Sequence, residues 1–231
     1  MISIIIPVYN EPNINTTIEE IRKQSYLDYE LIIVDGQEDG NTINLIDDDN
    51  CLKLNSKAGR ACQLNAGAKK AKGGAMLFLH ADSFLPENGL KMIDDIIRSG
   101  FKVGAFDLWI ESRNFILREF VSRISSFRSR LTRFPYGDQG HFFSKEYFQK
   151  IGGYSDIPLM EDIEIMQRVK QRKDKIFIIP QKIITSARRW EEEGLLFVML
   201  RNPILSTLYY LGVPAEKLSR FYPRAKNKRE V

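Results

Sequence analysis

The sequence predicts an α/β protein: a mostly parallel sheet flanked by helices, one domain with a helical C-terminal extension. Three observations carry this. Short continuous apolar runs alternate with segments of helical spacing up to residue 110, the pattern of βαβ units whose sheet is covered on both faces. The composition, 43% hydrophobic with 14 Phe, 9 Tyr and 2 Trp in 231 residues, is enough for a sizeable core. No repeat, low-complexity tract or clear linker divides the chain.

In order, Ile2 to Val8, Leu31 to Val34, Ala75 to Leu79 and Val103 to Ile110 read as strands, being β-branched or apolar runs of strand length. Ile14 to Gln24, Gly59 to Ala71 and Asn88 to Ile97 read as helices; in the last, Leu90, Ile93, Ile96 and Ile97 mark one apolar face. Beyond residue 110 the character changes. Arg113 to Arg133 carries Ile116, Phe120, Ile124, Phe127 and Leu131 at helical spacing, among six arginines and a single acid, Glu119. A glycine-containing stretch from Phe134 to Gly140, a helix from Glu161 to Gln171 and two short strands near Ile176 and Ile183 precede the tail. The expected division is a domain over residues 1–190 with a basic, apolar helical extension over residues 191–231 packed on it.

Charge and cysteine usage exclude several classes. With 34 basic and 30 acidic residues the net charge is +4, too balanced for a general nucleic-acid binder. Cys51 and Cys62 form no CxxC, and with only two histidines a Cys/His zinc site is not expected; reduced thiols fit the cytoplasm. The apolar start lacks a basic leader and is interrupted by Pro7 and Pro12, and Leu195 to Leu200 stops at Arg201-Asn202-Pro203. A soluble protein, with contact to a membrane surface left open, is the expectation.

Three strands end in polar groups: Pro7-Val8-Tyr9-Asn10-Glu11, Asp35-Gly36-Gln37-Glu38-Asp39-Gly40 and His80-Ala81-Asp82-Ser83. Each alone reads as ordinary turn chemistry. All fall at carboxyl ends, which a parallel sheet gathers on one rim, where such sheets bind ligands. Neither GxGxxG nor GxxxxGK[ST] is present. Carboxylates in place of glycines point to hydrogen bonding with base and ribose and to a hard divalent cation for phosphates.

These stretches, with Gly59-Arg60-Ala61-Cys62-Gln63-Leu64-Asn65-Ala66-Gly67-Ala68, Tyr136-Gly137-Asp138-Gln139-Gly140, Met160-Glu161-Asp162 and Ser186-Ala187-Arg188-Arg189-Trp190, resemble family 2 glycosyltransferases of the Rossmann-like GT-A fold, in order and spacing over residues 1–190. The resemblance implies a glycosyltransferase that moves a sugar from a nucleotide-diphosphate sugar to an acceptor hydroxyl with inversion, assisted by Mg2+ or Mn2+. Pro7, Tyr9, Glu11, Asp35, Asp39, Arg60 and His80 would then bind the nucleotide. Asp82 matches the last Asp of the family's DxD motif and would hold the metal; His80 stands where that motif has its first acid, either as a nucleotide contact or as a satisfied strand-end residue. Asp162 would be the general base, with Glu161 in support, although acids opening a helix also suit its dipole. Asp138 and Gln139 would meet sugar or acceptor hydroxyls, an Arg of the pair Arg188-Arg189 the diphosphate, and Trp190 would form an acceptor platform. Asn65 and Gly67 read as helix-packing residues. A nucleotide-sugar-binding scaffold and a nucleotidyltransferase are the rival readings.

The basic, amphipathic stretch Arg113–Arg133 reads as a solvated helix face, or as a docking surface for anionic lipid or a lipid-linked acceptor. From Lys182 to Val231 there are ten basic and five acidic residues, with Leu208, Tyr209, Tyr210 and Leu211 interleaved. Peripheral contact with the inner face of a membrane is the corresponding expectation.

Overall fold

The computed structural model describes residues 1–222; the last nine residues of the expected extension, which contribute to its basic count, lie outside the described residues. In chain order the elements are β1 Ile2–Val8, α1 Ile14–Arg22, β2 Tyr29–Asp35, β3 Cys51–Asn55, α2 Arg60–Lys70, β4 Ala75–Phe78, β5 Ser83–Phe84, α3 Gly89–Arg98 and β6 Val103–Glu111. A π-helical turn, Ile116–Val121, runs on into α4 Ser122–Thr132. Then come β7 His141–Ser144, α5 Lys145–Lys150, α6 Glu161–Gln171, β8 Ile176–Ser186, α7 Arg188–Glu193, α8 Leu195–Tyr210 and α9 Ala215–Leu218.

All eight strands form one sheet in the order β3-β2-β1-β4-β7-β6-β8-β5. The half built from β1 to β4 is parallel, with Ile4 between Leu31 and Leu77. β7 then enters antiparallel to both β4 and β6, and β5 pairs antiparallel with β8. β6 and β8 run parallel over nine residue pairs, so the sheet is mixed but mostly parallel, as expected. β3 and β7 are additions to the sequence reading, and the two strands expected near Ile176 and Ile183 are one, β8.

The strand period of two divides the core. Ile5, Ile32, Met76 and Phe143 face one side, where α2, α5 and α6 bring Leu64, Phe148 and Met166. Ile4, Ile6, Leu31, Leu77 and Phe142 face the other, covered by Ile14, Ile18 and Ile21 of α1 and Leu90 and Ile93 of α3. Gly67 lets α2 sit close: a Cβ there would lie 2.5 Å from Ile5 Cγ2. Asn65 clamps the chain beyond α5, donating to the Tyr154 carbonyl at 2.7 Å and accepting from its N–H at 3.0 Å. In α8, Val198 and Leu205 are buried, and Leu218 of α9 joins the core on the α6 side. Among the described residues no helix is long and apolar enough to cross a membrane.

Candidate active site

The carboxyl ends of β1, β2 and β4 meet at one rim. Glu11, after β1, donates its backbone N–H to Thr42 Oγ1 of the neighbouring loop at 3.0 Å. Its carboxylate takes a two-pronged contact from Arg188 at the start of α7, 3.1 and 2.8 Å. This fork joins residues 177 apart in sequence and closes one side of the rim. Pro7 is half-buried in β1, and Tyr9 stands exposed beside it. Asp35 is fully buried and spends its oxygens on its own loop, accepting from the N–H groups of Gln37 and Thr42 at 2.9 Å each and of Ile43 at 3.3 Å. Asp39 lies exposed on the same loop.

At the centre is a charged knot. Arg60, the first residue of α2, donates to Glu161, lies 3.7 Å from Asp162 Oδ2, and places Nη1 3.2 Å from His80 Nε2. About a third of the Arg60 side chain, 35%, still meets solvent. An arginine only donates, so His80 Nε2 accepts and the ring proton sits on Nδ1. Burial and the adjacent Arg60 push the His80 pKa down to about 3, so the ring is neutral at physiological pH. The space enclosed by Arg60, Leu64, Phe78, His80, Gly137, Tyr154, Glu161 and Asp162 is about 10 Å3, room for about one water.

Asp162 accepts from Gly137 N–H at 2.8 Å and from Ile163 N–H at 2.9 Å. Burial alone would raise its pKa; the Arg60 guanidinium and those N–H groups outweigh burial and hold it below the ordinary carboxylate value. Glu161, almost wholly buried, is pushed up by burial and by Asp162 against the pull of Arg60. The backbone enters α6 through Met160 at φ 68°, and reaches Glu11 through Asn10 at φ 54°. Left-handed conformations at non-glycine residues cost about 1–2 kcal/mol each, and here each aims the carboxylate that follows.

The turn Gly137–Gln139 faces this knot. A Cβ on Gly137 would come within 3.2 Å of Asp162 Oδ2 and 3.4 Å of His80 Nε2, so glycine permits the close approach. Asp138 is half-buried, with Oδ1 itself buried and unpartnered, and burial with nearby Asp162 raises its pKa to about 6. Gln139 is fully buried, donates to Phe106 O and Ser129 Oγ at 2.8 and 3.0 Å and accepts from Tyr136 N–H, so it braces the turn. Asp82 lies beside Arg188 and Glu11; burial, against the pull of Arg188, raises its pKa. Trp190 is half-buried against the sheet, and Arg189 donates to the Tyr222 hydroxyl.

Three participants were not singled out from sequence. Arg128 stacks 3.7 Å from the Tyr136 ring centroid, donates to Phe134 O and keeps a buried, unpartnered Nη2 beside Asp138. His141 donates from Nε2 to Pro135 O at 3.3 Å and accepts at Nδ1 from Tyr154 at 3.4 Å, and burial holds its pKa near 4. Tyr222 lies between Arg189 and Arg201, with centroid distances of 5.2 and 4.6 Å. Arginine and tyrosine are too common for such contacts to be read from spacing.

A sheet rim gathering acids around one arginine, with a helix N-terminus carrying paired carboxylates, places this molecule among α/β proteins that bind at strand ends. The sequence profile of glycosyl transferase family 2 matches residues 3–148, and the chain belongs to that family. Over 99 residues it is 37% identical to an uncharacterized glycosyltransferase of Haemophilus influenzae (strain ATCC 51907 / DSM 11121 / KW20 / Rd), covering 39% of this chain and 40% of that one. In fold it is similar to the mannosyltransferase PcManGT from Pyrobaculum calidifontis in complex with GDP-Man and Mn2+, with a TM-score of 0.62 and 18% identity over 79% of this chain and 56% of that one. It is similar likewise to S. aureus TarS 1-349 in complex with UDP-GlcNAc, with a TM-score of 0.63 and 16% identity over 80% of this chain and 58% of that one. The chain thus spans less than two thirds of the length of each of these proteins.

Proposed function

We propose that the protein transfers a sugar from a nucleoside-diphosphate sugar to an acceptor hydroxyl with inversion at the anomeric carbon. The observation that carries this is Asp162: half-buried, held ionised by Arg60 and two backbone N–H groups, and set against the Gly137–Gln139 turn at the strand-end rim. Family membership and the nucleotide sugars bound by the two fold neighbours support the donor class. Residues 1–190 form the transferase unit in this reading, and the extension from residue 191 packs on it.

In the reaction the acceptor oxygen bonds to the anomeric carbon as the bond to the diphosphate oxygen breaks, through an oxocarbenium-like transition state. Asp162 takes the hydroxyl proton, and Glu161 keeps Arg60 in place. Pro7, Tyr9, Glu11, Asp35, Asp39 and His80 frame the nucleotide end of the rim, Arg188 and Arg189 the diphosphate. Asp138 meets a sugar or acceptor hydroxyl through its unpartnered oxygen, and Trp190 borders the acceptor.

A divalent cation, Mg2+ or Mn2+, fits the donor set in one respect. Among the described residues no group of three or more His, Cys, Asp or Glu forms a cage. Mg2+ ordinarily takes only one or two carboxylates and completes its shell with substrate phosphate and water. Asp82, a hard oxygen ligand whose burial raises its pKa, is the residue that would hold it, and the Mn2+ in the mannosyltransferase complex supports such a metal. When bound, the ion would offset charge on the departing diphosphate. We place the reaction in the cytoplasm at the inner face of a membrane, on an acceptor carried by lipid, which the arginine-rich segment supports.

Asp162→Asn tests the assignment. Removing a general base costs about 10²–10⁴-fold in turnover. The variant should lose that much sugar transfer while binding nucleoside diphosphate as the parent does; unchanged transfer would remove Asp162 from the chemistry, and no transfer by the parent would favour a binding scaffold.

A further inference from the structure

The helical segment from Ile116 to Thr132 lies on the sheet with its polarity reversed. Small hydroxyls face inward. Ile110 N–H donates to Ser122 Oγ at 2.8 Å, Leu108 N–H to Ser126 Oγ at 3.0 Å, and Gln139 Nε2 to Ser129 Oγ at 3.0 Å. The large apolar residues at helical spacing point out: Phe120 is 57% exposed, Ile124 63%, Phe127 67% and Leu131 72%. A helix of a water-soluble protein does the opposite, turning its apolar stripe to the core.

A second helix presents the same kind of face beside it. α8 buries Val198, Arg201 and Leu205 and exposes Leu196, Phe197, Leu200 and Ile204. The two segments are tied at both ends. Ser112, before the first, donates to Glu191 of α7 at 3.0 Å, and Phe134, after it, packs edge-on against Tyr210 at the end of α8, with centroids 5.6 Å apart. These ties make the two segments neighbours at their ends, and an open groove of about 420 Å3 runs along the first between Phe115, Glu119, Phe120, Arg123 and Ile124. So large an exposed apolar surface marks an interaction site.

Charge decides what covers it. Arg113, Arg118, Arg123 and Arg133 border the apolar stripe, with Glu119 the one acid of the segment. Arg118 and Arg123 share that acid at 3.3 and 2.9 Å, and Arg113 and Arg133 have no ion pair among the described residues. A second copy meeting this face about a two-fold axis would set the same arginines against one another. Lipid phosphate answers both parts of the surface, taking the guanidinium groups at headgroup level while the Phe, Ile and Leu side chains enter the acyl boundary.

We propose that the outer faces of Ile116–Thr132 and α8 dock on an anionic bilayer. Both segments run into the rim, one through Tyr136–Gln139 and the other through Arg188 and Arg189, so docking holds the rim at the membrane. The surface stands by itself; that it delivers the rim to a lipid-carried acceptor rests on the transferase reading.

The test is flotation of the full chain with vesicles of equal phosphatidylglycerol and phosphatidylcholine, and with phosphatidylcholine alone, at low and high salt. The parent should float with the anionic vesicles, less at high salt, and F120S/I124S/F127S should lose about tenfold in partitioning. Nucleoside-diphosphate binding by that variant should stay at the parent's level, which shows it folded. A parent that stays in the dense fraction with both vesicles would overturn the proposal, as would a variant that floats like the parent. A parent dimer that the variant breaks, without flotation, would assign the face to self-association instead. Flotation with no sugar transfer by the parent would leave the docking surface standing and remove the transferase reading.

Discussion

Around the rim, burial drives neighbouring protonation states in opposite directions. Asp138 keeps its proton in the fold up to about pH 6, whereas its ordinary value is 3.8. Between those values the native state binds a proton that the unfolded chain has released, so the contribution of Asp138 to stability falls as pH rises from about 4 and is least favourable above 6. His141 runs the other way. Its ordinary value is 6.5 and the fold holds it near 4, so the unfolded chain is protonated first, and stability is lost as pH falls through that window. Asp138→Asn should therefore stabilise the protein by about 1–3 kcal/mol above pH 6 and not at all near pH 4. Denaturant midpoints across that range measure it; an equal gain at both ends would show that burial of the charge is not the cause. At this scale Glu11, His80 and Asp162 were legible because polar groups after an apolar run, or acids opening a helix, stand out. Arg128 and Tyr222 were not, since what places them is a contact with Tyr136 in one case and with Arg189 and Arg201 in the other.

The elements differ in how plainly their residues announce them. β1 is a run of β-branched residues covered on both faces, and the apolar face of α3 repeats at helical spacing, so both follow from pattern alone. β3 is a short edge strand with only Cys51 buried, and β7 is four residues directly after Gly140; neither is long enough to show a period. α4 teaches more. Its spacing is legible, but its orientation is not, because a periodic stripe says that a face is apolar and not which way it turns. The serines decide that here, by serving strand β6 as acceptors. Ser122→Ala should strip the buried Ile110 N–H of its partner and destabilise the protein by about 1–3 kcal/mol, read as a shift in urea midpoint at constant slope. A shift near zero would mean that the segment is held by something other than these hydroxyls.

The whole molecule joins a parallel half, which gathers the strand ends, to an antiparallel insertion, which carries the Gly137–Gln139 turn to them. β7 is the hinge of that arrangement: it pairs with β4 on one side and β6 on the other, and the turn preceding it lands on Asp162. No local run of residues states that pairing, which is why the antiparallel entry of β7 was not legible while the mostly parallel sheet and the gathering of acids at one rim were. The proposed transferase binds its donor at this rim. The most direct measurement is calorimetric titration of the full chain with UDP, GDP, CDP and dTDP, each in Mn2+, in Mg2+ and in EDTA. One diphosphate should bind, binding should weaken sharply in EDTA, and Asp82→Asn should reproduce the EDTA result. A folded protein that binds none of the four under any of these conditions would contradict donor binding at the rim.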